Sequence, residues 1–129
     1  MVGAILVVVP VPTGEGGLRS AALENVVDAA AVALAIPERR EAVEYLKRRQ
    51  NRDGGWGETF DTAVAVLALD RAGERDAVER GRAALLRWQQ EAGGWQETTR
   101  PPGGVSYAEH ISTTGWALYA LLETGPKRQ

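Results

Sequence analysis

The stretch Tyr45-Leu46-Lys47-Arg48-Arg49-Gln50-Asn51-Arg52-Asp53-Gly54-Gly55-Trp56-Gly57-Glu58-Thr59 returns 39 residues later as Ala84-Leu85-Leu86-Arg87-Trp88-Gln89-Gln90-Glu91-Ala92-Gly93-Gly94-Trp95-Gln96-Glu97-Thr98. Leu46, Gln50, Gly54, Gly55, Trp56, Glu58 and Thr59 fall on Leu85, Gln89, Gly93, Gly94, Trp95, Glu97 and Thr98. A period of this length corresponds to two helices and their turns. The second half of each unit recurs as well, Asp61–Gly73 on Thr113–Gly125, now 52 residues apart. The 13 extra residues enter the second unit around Pro101, Pro102, Gly103, Gly104 and Tyr107, a composition that reads as a loop.

Working outward from the repeat, apolar periodicity and punctuation predict about five helices and no strand. The first runs from Leu18 or Ser20 to Ile36. The second starts with Pro37 in its first turn and ends near Gln50. The third is capped by Thr59 or Asp61 and stopped by Gly73. The fourth opens at Arg75 or Asp76 and reaches about Glu91, and the fifth is capped by Ser112 and stopped by Gly125 and Pro126. The third and fifth are apolar nearly all round and are expected inside, whereas the second and fourth carry charge on one face and are expected outside. The chain is therefore read as an all-α array of helical hairpins, alternating outer and inner.

The junction between an outer and an inner helix follows from its residue types. Asp53-Gly54-Gly55 and Ala92-Gly93-Gly94 reverse the chain through glycines that take positive φ without a Cβ penalty. Trp56 and Trp95 are expected to lay their rings on the helix just left. The Gln50 and Gln89 amides are expected to bond free N–H groups at the start of the next helix. Gln50, Gly55, Trp56, Gln89, Gly94 and Trp95 thus form a structural clasp.

Composition narrows the function. With 129 residues the chain has room for one compact domain. A net charge of -2 argues against nucleic-acid binding. There is no cysteine, which excludes thiol chemistry, disulfides and Cys-ligated zinc, and a single histidine, His110, excludes a multi-histidine metal site. No cofactor and no metal are expected. Residues 1–17 hold an apolar run, Ile5 to Val11, followed by prolines and glycines, and are read as an extended or flexible arm; residues 18–129 form the domain. The run is short for a membrane span and has no basic residue before it, so the expected location is the cytoplasm, with peripheral membrane contact through the arm as the other reading.

Gln-x5-Trp with preceding Gly-Gly, followed by the Asp-Thr-Ala-x-Ala-x-Leu-Ala-Leu-x-x-Ala-Gly of residues 61–73, resembles the QW repeat of squalene-hopene cyclases and related class II terpene cyclases. Ser112 to Leu122 is similar to the inner helix near the end of those enzymes, and the likeness covers about residues 41–125. It implies an αα-toroid, of which five helices make only part, closed by a homo-oligomer or a second toroid-completing chain. It also implies an isoprenoid ligand and isomerase chemistry. The prenyltransferase and thioester branches of that superfamily need a cysteine that this chain lacks.

The resemblance carries a gap. Class II cyclases protonate an alkene or epoxide with the middle residue of Asp-x-Asp-Asp, a string absent from these 129 residues. The nearest match is Glu58-Thr59-Phe60-Asp61-Thr62-Ala63, with Phe60 where the donor stands. Asp61 and Glu58 are the candidate catalytic carboxylates, against a reading as helix-start acids. Phe60, Trp116 and Tyr119 are the candidate substrate-pocket residues, facing the carbocations of the family chemistry with their π clouds, against a reading as core aromatics. His110 beside Glu109 reads as a solvated or capping group, and Lys47, Arg48, Arg49 and Arg52 as a wet helix face. Two functions stay open: part of a larger or oligomeric cyclase that binds a polyprenyl hydrocarbon, or a non-catalytic scaffold that kept the fold and lost the acid.

Overall fold

A computed structural model describes residues 22–95 and 107–126, with side chains from 113 onward in the second stretch. It contains α1 (Val26–Ala35), α2 (Arg40–Arg49), α3 (Thr59–Arg71), α4 (Arg75–Trp88) and α5 (Tyr107–Thr124), and no strand among the described residues. The proposed arm, Leu18, Ser20 and most of the insertion lie outside them.

Helix ends depart from the sequence reading in ways that hydrogen bonding explains. α1 starts at Val26 because the Asn25 side chain accepts the Asp28 N–H at 2.8 Å, leaving Ala22 to Glu24 outside the helix. Pro37 follows rather than begins a helix. It restricts Ile36, whose φ of −134° and ψ of 81° end α1, and α2 resumes only at Arg40 after a turn closed by Arg39 N–H on the Ile36 carbonyl. Neither Thr59 nor Asp61 caps α3; both lie in its first turn behind Glu58. α4 stops at Trp88, short of Glu91, because the glycine turn has begun, and α5 starts at Tyr107, so Ser112 is interior. Gly73, at φ +84°, does end the third helix.

The inner helices α1, α3 and α5 lie in a row with α3 in the middle, while α2 packs chiefly on α1 and α4 on α3. Small residues set these distances. Ala29, Ala30, Ala33, Ala65 and Ala68 are buried, and a Cβ at Gly81 of α4 would sit 2.5 Å from Val66 Cγ2, so only glycine lets α4 approach α3 this closely. Ion pairs tie the outer layer: Glu74, just before α4, takes Arg40 at 2.8 Å and Lys47 at 3.0 Å from α2, and both hold its carboxyl below the usual range. Lys47 therefore joins two helices rather than merely wetting one face.

α3 is buried from Thr62 to Leu69, as its all-round apolarity predicts. α5 is not. It buries Thr113, Ala117, Ala120 and Thr124, but Leu118, Tyr119 and Leu122 are 43%, 48% and 80% exposed. A helix apolar all round needs neighbours all round, and among the described residues α5 has helices only on the α3 and α4 side. Its C-terminus is held by α4: Arg82 Nη1 donates to the Leu121 carbonyl at 2.6 Å and to Thr124 Oγ1 at 3.1 Å, and Arg75 donates to the Thr124 carbonyl at 3.4 Å.

Candidate functional site

Two clasps hold the site in place. In the first, the Trp56 indole N–H donates to the Leu46 carbonyl at 2.8 Å and the Trp56 backbone N–H to Thr62 Oγ1 at 2.9 Å. In the second, the Trp95 indole donates to the Leu85 carbonyl at 2.7 Å and the Trp95 N–H to Thr114 Oγ1 at 3.1 Å. Each tryptophan thus joins the last turns of the outer helix to a threonine of the inner one that follows. The rings are buried, Trp95 completely. Gly54 and Gly93 take φ of +94° and +103°, the conformation the turn reading requires. Gly55 is needed for space instead, since a Cβ there would run into the Trp88 ring.

The glutamines behave differently from the sequence expectation. Their amides donate to carbonyls and accept nothing from a helix N-terminus. Gln50 Nε2 bonds the Gly54 carbonyl at 2.8 Å and the Ala77 carbonyl of α4 at 3.0 Å, and Gln89 Nε2 bonds the Gly93 carbonyl at 2.8 Å. The turn needs its own carbonyl satisfied before the chain can reverse inside the protein. The threonine acceptors escaped the sequence reading, although Thr62 and Thr114 occupy the same repeat position and were legible there.

Between the clasps, three aromatic side chains meet. Phe60, in the first turn of α3, lies edge to face with Trp116 of α5, with ring centroids 5.8 Å apart at 89°, and Trp116 with Tyr119 at 6.1 Å and 79°. Phe60 and Trp116 are half-buried and Tyr119 is exposed on one side, so the row is an apolar surface with its far end open. All three pocket candidates from the sequence are brought together across two inner helices. Asp61 follows Phe60 on α3 and is half-buried, and that burial raises its carboxyl above the usual range. Glu58 sits at the position preceding α3 and makes no capping bond with its side chain. Glu97 and the His110 side chain lie outside the described residues. Among the described residues, no group of three metal-ligating side chains occurs.

The chemistry this arrangement supports is limited in kind. In each T-shaped contact the edge of one ring rests on the face of its neighbour, so the three rings form one continuous apolar row. Burial favours the protonated form of the Asp61 carboxyl, and the sequence holds no Asp-x-Asp-Asp string.

A family model for the squalene-hopene cyclase C-terminal domain matches residues 20–111. Among curated proteins, the chain is similar to a squalene–hopene cyclase of Bradyrhizobium diazoefficiens, 40% identical over 106 residues that cover 67% of this chain and 16% of that protein. It is similar to the squalene–hopene cyclase of Zymomonas mobilis, 33% identical over 64% of this chain and 16% of that protein, and to lanosterol synthase erg7A of Aspergillus fumigatus, 34% identical over 64% and 13%. The chain therefore spans about one sixth or less of the length of these relatives. No solved structure matches it.

Proposed function

From a chain that belongs to the squalene-hopene cyclase C-terminal domain family, we infer a role in holding a polyprenyl hydrocarbon as part of a larger or oligomeric cyclase-like assembly. The observation that carries this is the row Phe60, Trp116, Tyr119, assembled from two inner helices and left open at Tyr119. These helices are held in register by the clasps, whose tryptophan N–H groups are bonded to threonines of the inner helices, so the row is a fixed, largely apolar surface. A hydrocarbon chain gains on leaving water for such a surface, by roughly 25 cal/mol per Å² of apolar area covered. A passing cationic centre gains from ring faces.

The acid is a separate matter. Phe60 stands at the donor's place in the Asp-x-Asp-Asp pattern, and that string, whose middle residue supplies the acid, occurs nowhere in these 129 residues. The chain supplies wall and scaffold, and initiation belongs to another part of the assembly. This also favours the scaffold reading over turnover by the isolated chain.

The test uses the intact chain with squalene dispersed in neutral detergent. Saturable quenching of tryptophan fluorescence is expected, and Trp116→Ala removes it while circular dichroism stays helical. No cyclic product forms. Quenching that Trp116→Ala leaves unchanged sinks the binding role, and cyclic terpene released by the chain alone sinks the assignment of the acid elsewhere.

A further inference from the structure

α5 is joined to its outer helix by polar atoms where the first unit uses apolar ones. At the 39-residue spacing Val43 of α2 falls on Arg82 of α4, and at the 52-residue spacing Ala72 falls on Thr124. Val43 is fully buried, and Ala72, at the end of α3, packs against the cluster that holds it. In the second unit both positions turn polar together. Arg82 Nη1 donates to Thr124 Oγ1 at 3.1 Å and to the Leu121 carbonyl at 2.6 Å, and the Thr124 hydroxyl donates in turn to the Ala120 carbonyl at 2.6 Å. The Arg82 side chain is 16% exposed and Thr124 is buried. Glu79 Oε1 stands 4.0 Å from Arg82 Nε, beyond hydrogen-bond reach, so the arginine's donors are spent on α5.

Direction is what the rest of the α5 contact lacks. Toward α3 it sets Ala117 and Ala120 among Ala63 and Leu67. Apolar contact is non-directional, and small side chains let one helix turn or slide on another at low cost. Hydrogen bonds to a buried network add a fixed geometry. The second clasp supplies one such point, the Trp95 N–H on Thr114 Oγ1. Arg82 supplies another at Leu121, about 10 Å further along the helix axis at 1.5 Å per residue. Trp116 and Tyr119, the α5 members of the aromatic row, fall between the two. A helix held at one point pivots about it, whereas one held at two keeps the residues between them in place.

We propose that Arg82 is a positioning residue of the aromatic row: through Leu121 and Thr124 it fixes the rotation and height of α5 and so sets Trp116 against Phe60. Its effect on a ligand rests on the hydrocarbon reading above, whereas its effect on the ring contact does not.

Proton NMR of the full chain, well below its melting temperature, reads that contact without ligand as cross-relaxation between the Phe60 and Trp116 rings. Arg82→Met keeps an aliphatic stem and removes every donor. The variant is expected to stay helical by circular dichroism and to keep the Trp56 indole resonance, but to lose most of the Phe60–Trp116 cross-peak. Its half-saturation by squalene rises about tenfold. A purely stabilising arginine leaves the cross-peak intact wherever every molecule is folded, so a folded Arg82→Met chain with wild-type intensity overturns the proposal. If Arg82→Met does not fold, Thr124→Val carries the test, because it keeps the shape and removes only the hydroxyl. A weakened cross-peak is then expected, and an unchanged one overturns the proposal. A wild-type chain that never binds squalene sinks the hydrocarbon reading and leaves the cross-peak result standing.

Discussion

The two clasps have nearly the same internal hydrogen bonds and very different surroundings. Around the first, Gln50 reaches Ala77 of α4, Asp53 Oδ1 accepts the Gly55 N–H at 2.9 Å, and Arg87 donates to the Asp53 carbonyl. Around the second, Ala92 replaces Asp53, and Gln89 is exposed and, among the described residues, bonds only its own turn. The lesson is that the Gln-to-Trp turn closes on itself through the tryptophan and its threonine, and that the glutamine becomes a link between neighbours only where an outer helix follows. One motif thus does a local job everywhere and a long-range job in the interior of the array.

The largest effects should fall on what the clasps share. Trp56→Ala and Trp95→Ala each remove a buried ring and an indole hydrogen bond, and each should lower stability by about 3–5 kcal/mol in urea unfolding. If Trp95→Ala proves mild, the second clasp is weaker than its hydrogen bonds imply.

A sharper contrast comes from the turn glycines. Gly54→Ala and Gly93→Ala both place a side chain at positive φ, a penalty of roughly 1–2 kcal/mol. At Gly54 the new Cβ also meets the Arg80 backbone carbonyl, whereas around Gly93 the space is open. Gly54→Ala should therefore lower the melting temperature clearly more than Gly93→Ala. Equal losses would mean that the first turn is not pressed against α4.

The glutamines should separate by less. Gln50→Ala loses a part-buried bond to a neighbouring helix as well as its local one, at about 1–2 kcal/mol, and Gln89→Ala loses one exposed bond, at about 0.5 kcal/mol. Calorimetry of both variants measures the gap, and a larger loss at Gln89 would reverse the comparison.

The smallest expected effect is on Asp61. Burial raises its folded pKa above the unfolded value, so the protonated form is the one that suits the fold. Its relative stabilisation is complete below the ordinary carboxylate pKa near 4 and is lost as pH rises through the folded value. The melting temperature of Asp61→Asn, compared with wild type, should therefore gain from pH 3 to pH 7; a gain toward low pH would contradict the burial.

Most of the fold was legible because the repeat is literal. The Trp56 and Trp95 positions, the glycine corners and the alternation of outer and inner helices all follow from residues that recur at fixed spacing. Helix starts were less legible, since the Asn25 bond to the Asp28 N–H sets the first helix later than the apolar pattern suggests, and since Pro37 serves equally in a first turn and in the turn before a helix. The exposure of α5 was hidden for a different reason. Periodicity reports how apolar a helix is, not how many neighbours it has, so Leu118 and Leu122 read as core. The aromatic row was legible as three residue types near two inner-helix starts, but their meeting across α3 and α5 is a tertiary fact. The missing Asp-x-Asp-Asp acid was legible outright, because an absent string needs no structure.

The equivalence of the two clasps is most directly tested at the indole protons. In a two-dimensional nitrogen–proton NMR spectrum, the Trp56 and Trp95 indole N–H groups, buried on the Leu46 and Leu85 carbonyls, should exchange with deuterated solvent only through unfolding and at comparable protection. A Trp95 indole that exchanges at the rate of a solvent-exposed one while Trp56 stays protected would contradict the account, because the second unit would then not be a copy of the first.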